Sequence, residues 1–167
     1  IDQVSFSAWS RIGLNQNTTQ GFSANNWMSS TTANSMQFTA TVNSGYEIVN
    51  TVIAGSANAT STGPGHMIWS VNGSEVAGSA WNTATSITSW SSTIGTLASG
   101  VNTLNLYAAD DVSAGGGTVA GNGGLRLQTA VTISGDVQST APIPEPATMS
   151  LLGLGALAMV LRRKIRK

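Results

Sequence analysis

The 167 residues include no cysteine and only 8% charged side chains, which excludes disulfides, thiol chemistry and a cysteine-based metal site. Five of the seven basic residues lie beyond position 161, so the preceding chain sets Arg11 and Arg126 against Asp2, Glu47, Glu75, Asp110, Asp111 and Asp136. That mildly acidic balance excludes nucleic acid as a partner, because phosphate recognition needs a basic stripe.

In chain order, Val4, Phe6 and Ala8 alternate with Ser5 and Ser7, the period of a half-buried strand. Leu14 to Ala33 is polar, broken by Phe22 and Trp27, and reads as a long loop holding at most a short strand. Met36, Phe38, Ala40 and Val42 give the cleanest alternation of the first half. Asn43-Ser44-Gly45 is turn chemistry, followed by a strand-forming run from Tyr46 to Ala54. Gly55 to Gly65 reads as a flexible polar loop. Met67, Trp69 and Val71, then Asn72-Gly73, then Ser74 to Ala77 predict a hairpin with a two-residue turn.

From Trp81 to Leu97 the signal weakens to strand-like spots at Ile87 and Ile94. Leu104, Leu106 and Ala108 alternate cleanly, and a glycine-rich loop from Asp110 to Gly124 leads to Leu125, Leu127, Thr129, Val131 and Ile133, five inward positions in a row. Nothing before the tail has helical periodicity. The pattern predicts an all-β domain over residues 1–138, an antiparallel β-sandwich of about eight strands and jelly-roll-like. The chain begins at Ile1 without an apolar leader, as a mature exported protein or a trimmed chain would.

Candidate chemistry is sparse. His66 is the sole histidine and reads first as a turn residue, although a Ser-His-Asp arrangement would have to use it. Asp110 and Asp111, followed by Gly115, Gly116 and Gly117, are a weak calcium candidate beside the simpler reading of acids in a solvated turn. The six acids of the head select no pair for glycoside hydrolysis, and no catalytic residue or cofactor is assigned. Trp27 and Trp81 each lie among polar residues and are the candidates for stacking on a glycan; Trp69, inside an alternating strand, reads as core.

The last 29 residues fall into three parts: a proline-rich spacer (139–146), an apolar helix (147–161) and a basic end, Arg162, Arg163, Lys164, Arg166 and Lys167. Fifteen apolar residues make about 22 Å of helix against roughly 30 Å of hydrocarbon, so this is a marginal transmembrane helix. Its basic end is expected on the cytoplasmic side and everything before Ala147 outside. Pro144 and Pro146 hold Ile143 and Glu145 away from helical geometry. An extended segment just outside the bilayer suits either a processing enzyme or a plain anchor with a stiff spacer.

Pro144-Glu145-Pro146, an apolar helix containing Leu-Gly-Leu-Gly and an arginine-rich end resemble, in order and spacing, the PEP-CTERM sorting signal. The resemblance implies a Gram-negative bacterium, recognition by the membrane protease exosortase and removal of the tail near Pro144, Glu145 and Pro146. It also implies anchoring in the inner membrane before processing and a final place at the cell surface or in the biofilm matrix. Phe38-Thr-Ala-Thr-Val with Gly45-Tyr46, Gly63-Pro64 leading to Trp69-Ser70-Val71, and the glycine-rich loop before Leu125-Arg126-Leu127 resemble the jelly-roll ectodomain of that family. Here Gln128-Thr129 stands where the family often has Asp-Asn. The expected function is a non-catalytic surface or matrix protein with a structural or adhesive role. The alternatives are a carbohydrate-binding module engaging exopolysaccharide and a subunit that self-associates through sheet edges.

Overall fold

The computed structural model describes residues 3–16, 22–27, 33–128 and 130–141, together with 151, 152 and 154. Among them run thirteen strands: β1 (Val4–Phe6), β2 (Ser10–Ile12), β3 (Asn15–Gln16), β4 (Phe22–Asn25), β5 (Ser35–Val42), β6 (Tyr46–Ala59), β7 (His66–Val71), β8 (Ser74–Glu75), β9 (Trp81–Asn82), β10 (Thr88–Leu97), β11 (Gly100–Ala108), β12 (Gly124–Leu127) and β13 (Thr132–Ser139). They form two antiparallel sheets, one ordered β1-β5-β11-β7-β8 with β2 on β5 and β9 on β7, the other β10-β6-β12-β4-β3 with β13 on β6.

Three of the five strands beyond the eight or so expected have a simple cause. Three rows are broken into two pieces each: β1 and β2 lie end to end along β5, β8 and β9 along β7, and β12 and β13 along β6. From β4 onward the chain passes repeatedly from one sheet to the other, so most neighbours within a sheet are distant in sequence. The two inner faces meet in one core that includes Trp27, Met36, Phe38, Ile53, Met67, Trp69, Trp90, Leu104, Leu106 and Leu125.

Where the alternation was clean, the strand is as read. β5 buries Met36, Phe38, Ala40 and Val42, and its register sets Phe38 opposite Leu104 and Met36 opposite Leu106. Asn72 and Gly73 have φ of 52° and 82°, the left-handed pair that a two-residue hairpin turn needs, and they join Val71 to Ser74.

Four readings are corrected. The polar stretch from Leu14 to Ala33 contains β3 and β4, with Ala24 and Trp27 fully buried. Residues 55–59 belong to β6 rather than to a flexible loop. The weak stretch between Trp81 and Leu97 holds the ten-residue β10, while Ile87 is exposed. Leu125 to Ile133 is two strands with a break, so its inward positions do not form one row.

Gly55 explains the second correction. It sits opposite Trp90 in the β6–β10 ladder, and a Cβ added there would come 3.1 Å from Trp90 Cζ2. The glycine serves a close approach of backbone and indole, not flexibility. Above it, Trp90 stacks on Trp81 of β9 with centroids 4.7 Å apart and planes 10° apart, and meets Trp69 of β7 at 6.1 Å. The rings continue through Trp9 and Phe38 to Phe6, so an aromatic series crosses the sandwich from one side to the other.

Leu151, Leu152 and Leu154 are helical and exposed, and among the described residues no helix is long and apolar enough to cross a membrane. Most of the expected tail lies outside the described residues.

Gly55→Val should destabilise the head by about 1–3 kcal/mol in urea unfolding, the usual cost of overpacking a core. Trp90→Ala alone should cost about 3–5 kcal/mol. In the double variant the Gly55 cost should vanish, because the clash needs the indole.

Candidate functional site: an open flank, a His–Asp pair and the tail

On one flank both sheets carry an interrupted row of strands. Phe6 pairs with Ala40 and Ser10 with Gln37, so three residues, Ser7 to Trp9, span a gap of two on β5. Ser7 closes it by donating its N–H to Thr39 O at 2.9 Å and accepting Thr39 N–H on its hydroxyl at 2.8 Å. This bulge turns Trp9 inward in place of Ala8. Across the sandwich, Leu127 pairs with Ala57 and Thr132 with Ala54, so four residues span two on β6.

Between the interruptions lies a groove of about 260 Å³ lined by Phe6, Ser7, Trp9, Phe38, Val131 and Ile133. None of these side chains is charged. Phe6 is 49% exposed although its partner Ala40 is buried on the core face. Beside the groove Arg11 covers the Phe22 ring at 4.2 Å and donates from Nε to Ser23 O at 2.9 Å. Such a surface holds an apolar side chain or a sugar face and offers no acid–base chemistry. The signal for Trp9 was present in sequence as an apolar residue on the wrong parity after Phe6.

At another site His66, at the start of β7, lies 2.6 Å by Nδ1 from Asp110 Oδ2, while Asp110 Oδ1 accepts Val112 N–H at 3.0 Å. Partial burial disfavours the Asp110 carboxylate, but the His66 hydrogen bond, the Val112 amide and the His66 charge outweigh it and hold its pKa below the ordinary value. The surrounding loop is tied by backbone contacts that only glycine permits. A Cβ on Gly123 would lie 2.1 Å from Thr62 O, and one on Gly63 would lie 2.3 Å from Gly124 O. Tyr107 donates its hydroxyl to Glu75 Oε2 at 3.0 Å, and burial together with that carboxylate pushes its pKa up to about 12.

The remaining candidates separate. Trp27 is fully buried with Nε1 donating to Ala24 O at 2.8 Å, and Trp81 is 7% exposed beneath Trp90. A glycan platform needs an open ring face, and neither indole has one, because each fills the core beside its polar neighbours. Asp111 is exposed, both oxygens of Asp110 already accept hydrogen bonds, and among the described residues no three of His, Cys, Asp and Glu gather as a metal site requires. Pro144, Glu145 and Pro146 and the basic residues Arg162, Arg163, Lys164, Arg166 and Lys167 lie outside the described residues.

The head is thus an all-β sandwich with an uncharged aromatic groove on an open flank, joined to a C-terminal tail. Residues 142–164 of that tail match the family described as the PEP-CTERM protein-sorting motif. No curated protein and no solved structure matches the chain. The motif marks an exported chain, anchored in the membrane before processing, and implies exosortase as its processing partner.

The two titrating contacts should be visible in stability against pH. Asp110, with its lowered pKa, contributes in full above the ordinary carboxylate range near 4 and loses that contribution as pH falls through its own lower value. Being an exposed pair it is worth under about 1 kcal/mol, and Asp110→Asn should flatten the acid limb. Tyr107 contributes below pH 10 and loses its contribution as pH rises toward 12, so Tyr107→Phe should flatten the alkaline limb.

Proposed function

We propose that this chain is a non-catalytic cell-surface or extracellular-matrix protein, with a structural or adhesive head carried to its destination by the exosortase sorting tail. The observation that carries this reading is the sorting motif at residues 142–164, only two residues beyond the last backbone–backbone hydrogen bond among the described residues, from Thr140 N–H to Gly45 O. The composition of the head supports it, since 8% charged residues and a hydroxyl- and amide-rich sequence suit a surface that works by contact. The alternation of strands between two antiparallel sheets supports a jelly-roll-like ectodomain.

In this reading the apolar stretch 147–161 is the transmembrane sorting helix, held by the basic residues 162–167, and Pro144, Glu145 and Pro146 are the processing element. The intact mass of protein taken from the host surface should end near Pro144 to Pro146, with or without an added group. A mass that includes Lys167, or recovery from the cytoplasm alone, would overturn processing or export respectively.

A second reading is favoured by the groove: the partly open rings of Phe6 and Trp9 beside Ser7 replace Trp27 and Trp81 as a stacking platform for exopolysaccharide. The producer's polysaccharide should then quench tryptophan fluorescence, and Trp9→Ala should abolish most of the quench. No quench in the unaltered protein would eliminate this reading.

A further inference from the structure

We infer that the outer edge of β13 is a pairing site for β13 of a second copy of this chain. The inference rests on the proposed tail-anchored state and names the head's partner within it.

Among the described residues β13 pairs with β6 alone, and seven of its eight residues are exposed. The phase of the ladder shows what the open side presents. Thr140 donates its N–H to Gly45 O at 2.8 Å, and main-chain groups alternate in direction along an antiparallel strand. Those of Val137 and Ser139 therefore point away from β6, toward solvent. The Val137 side chain shares the inner face with its partner Ile48, which is buried, yet Val137 is 48% exposed. On the facing sheet Phe6 is similarly half-exposed at 49%. The sandwich is unfinished along this flank in both main-chain hydrogen bonding and apolar cover.

Natural sheets guard such edges with lysine, proline, inward charges or bulges. β13 has no lysine and no proline. Its irregularity falls between Ser134 and Asp136, where a Cβ on Gly135 would come 2.6 Å from Ile48 Cγ2, and it leaves residues 136–140 regular. The one charge, Asp136, is engaged by Asn50 Nδ2 at 3.0 Å.

Two features select a second copy as the occupant. The first is charge. An antiparallel pair centred on Gln138 sets Val137 against Ser139 of the second copy, on the outward main-chain phase, and keeps both bulges outside the paired run. It sets Asp136 against Thr140, so the two Asp136 carboxylates sit about 13 Å apart at strand rise, beyond the screening length at physiological salt. The second is the tail. The motif begins at residue 142, three residues after β13 ends at Ser139. Anchored copies present this edge at one height above the membrane, where short tethers raise effective concentration to the millimolar range.

The test uses the full chain reconstituted in lipid vesicles, and the chain's lack of cysteine removes background. At a non-hydrogen-bonded antiparallel pair Cα atoms approach to about 4.5 Å, within disulfide reach, so Gln138→Cys should oxidise to a covalent dimer. Val101→Cys, at a β11 position that is 63% exposed, should give roughly tenfold less, the level of unguided collision among tethered copies. Adding Val137→Pro removes an outward N–H without touching the β6 ladder, so it should abolish the Gln138→Cys dimer and leave thermal unfolding unchanged.

Equal dimer at both cysteines, a dimer that survives the proline in a folded protein, or no dimer at Gln138→Cys would each overturn the inference. The last would indicate that the tail of the same chain or a foreign partner covers the edge. Because the unprocessed chain is used, the result stands apart from whether the tail is cut in the host, which the intact mass decides.

Discussion

The contact on which the sandwich depends is the meeting of Trp69, Trp90 and Trp81. Trp69 and Trp81 come from one sheet and Trp90 from the other, so the stacked and tilted rings tie the two layers in a chain without cysteine whose described residues hold no buried ion pair. Their apolar environment has a cost: the indole N–H groups of all three have no hydrogen-bond partner among the described residues. Each such donor costs about 1–3 kcal/mol, while a buried indole gains comparably from area alone and more from ring geometry. Burial wins because a sandwich with so few long aliphatic side chains needs large rings to fill the gap between its sheets.

That arithmetic explains what the sequence hid. A strand with one buried face, β5, was legible from period two, and the Asn72-Gly73 turn was legible because only a left-handed pair fits it. β10 was not, since Trp90, Ser92, Ile94 and Leu97 are its buried positions and a serine contributes nothing to an apolar count. The stretch from Gly55 was misread for a related reason. A glycine packed closely beneath an indole looks, in one dimension, like a glycine required by a loop.

The candidate site divides the same way. The sorting motif was fully legible because it is linear and depends on order and spacing rather than on folding. The His66–Asp110 pair and the groove were not, since the pair joins residues 44 positions apart and the groove gathers Phe6, Ser7 and Trp9 with Phe38, Val131 and Ile133. Tryptophans in polar company suggested a surface at Trp27 and Trp81, but the strands of this chain are polar on their outer face, so polar neighbours accompany buried rings. The open ring at the flank belongs to Phe6, which the alternation had placed in a half-buried strand.

The attachment of the tail to β13 also has a mechanical side. A pull exerted on the anchor enters the head at the Thr140–Gly45 hydrogen bond and passes into seven register pairs between β13 and β6. β6 is gripped on its other side by β10 along most of its length, and the indoles lie beyond that. Tension between membrane and head is therefore met first by an exposed edge strand. Among the described residues that strand is held in its sheet by β6 alone, so its hydrogen bonds take the load before the aromatic core does.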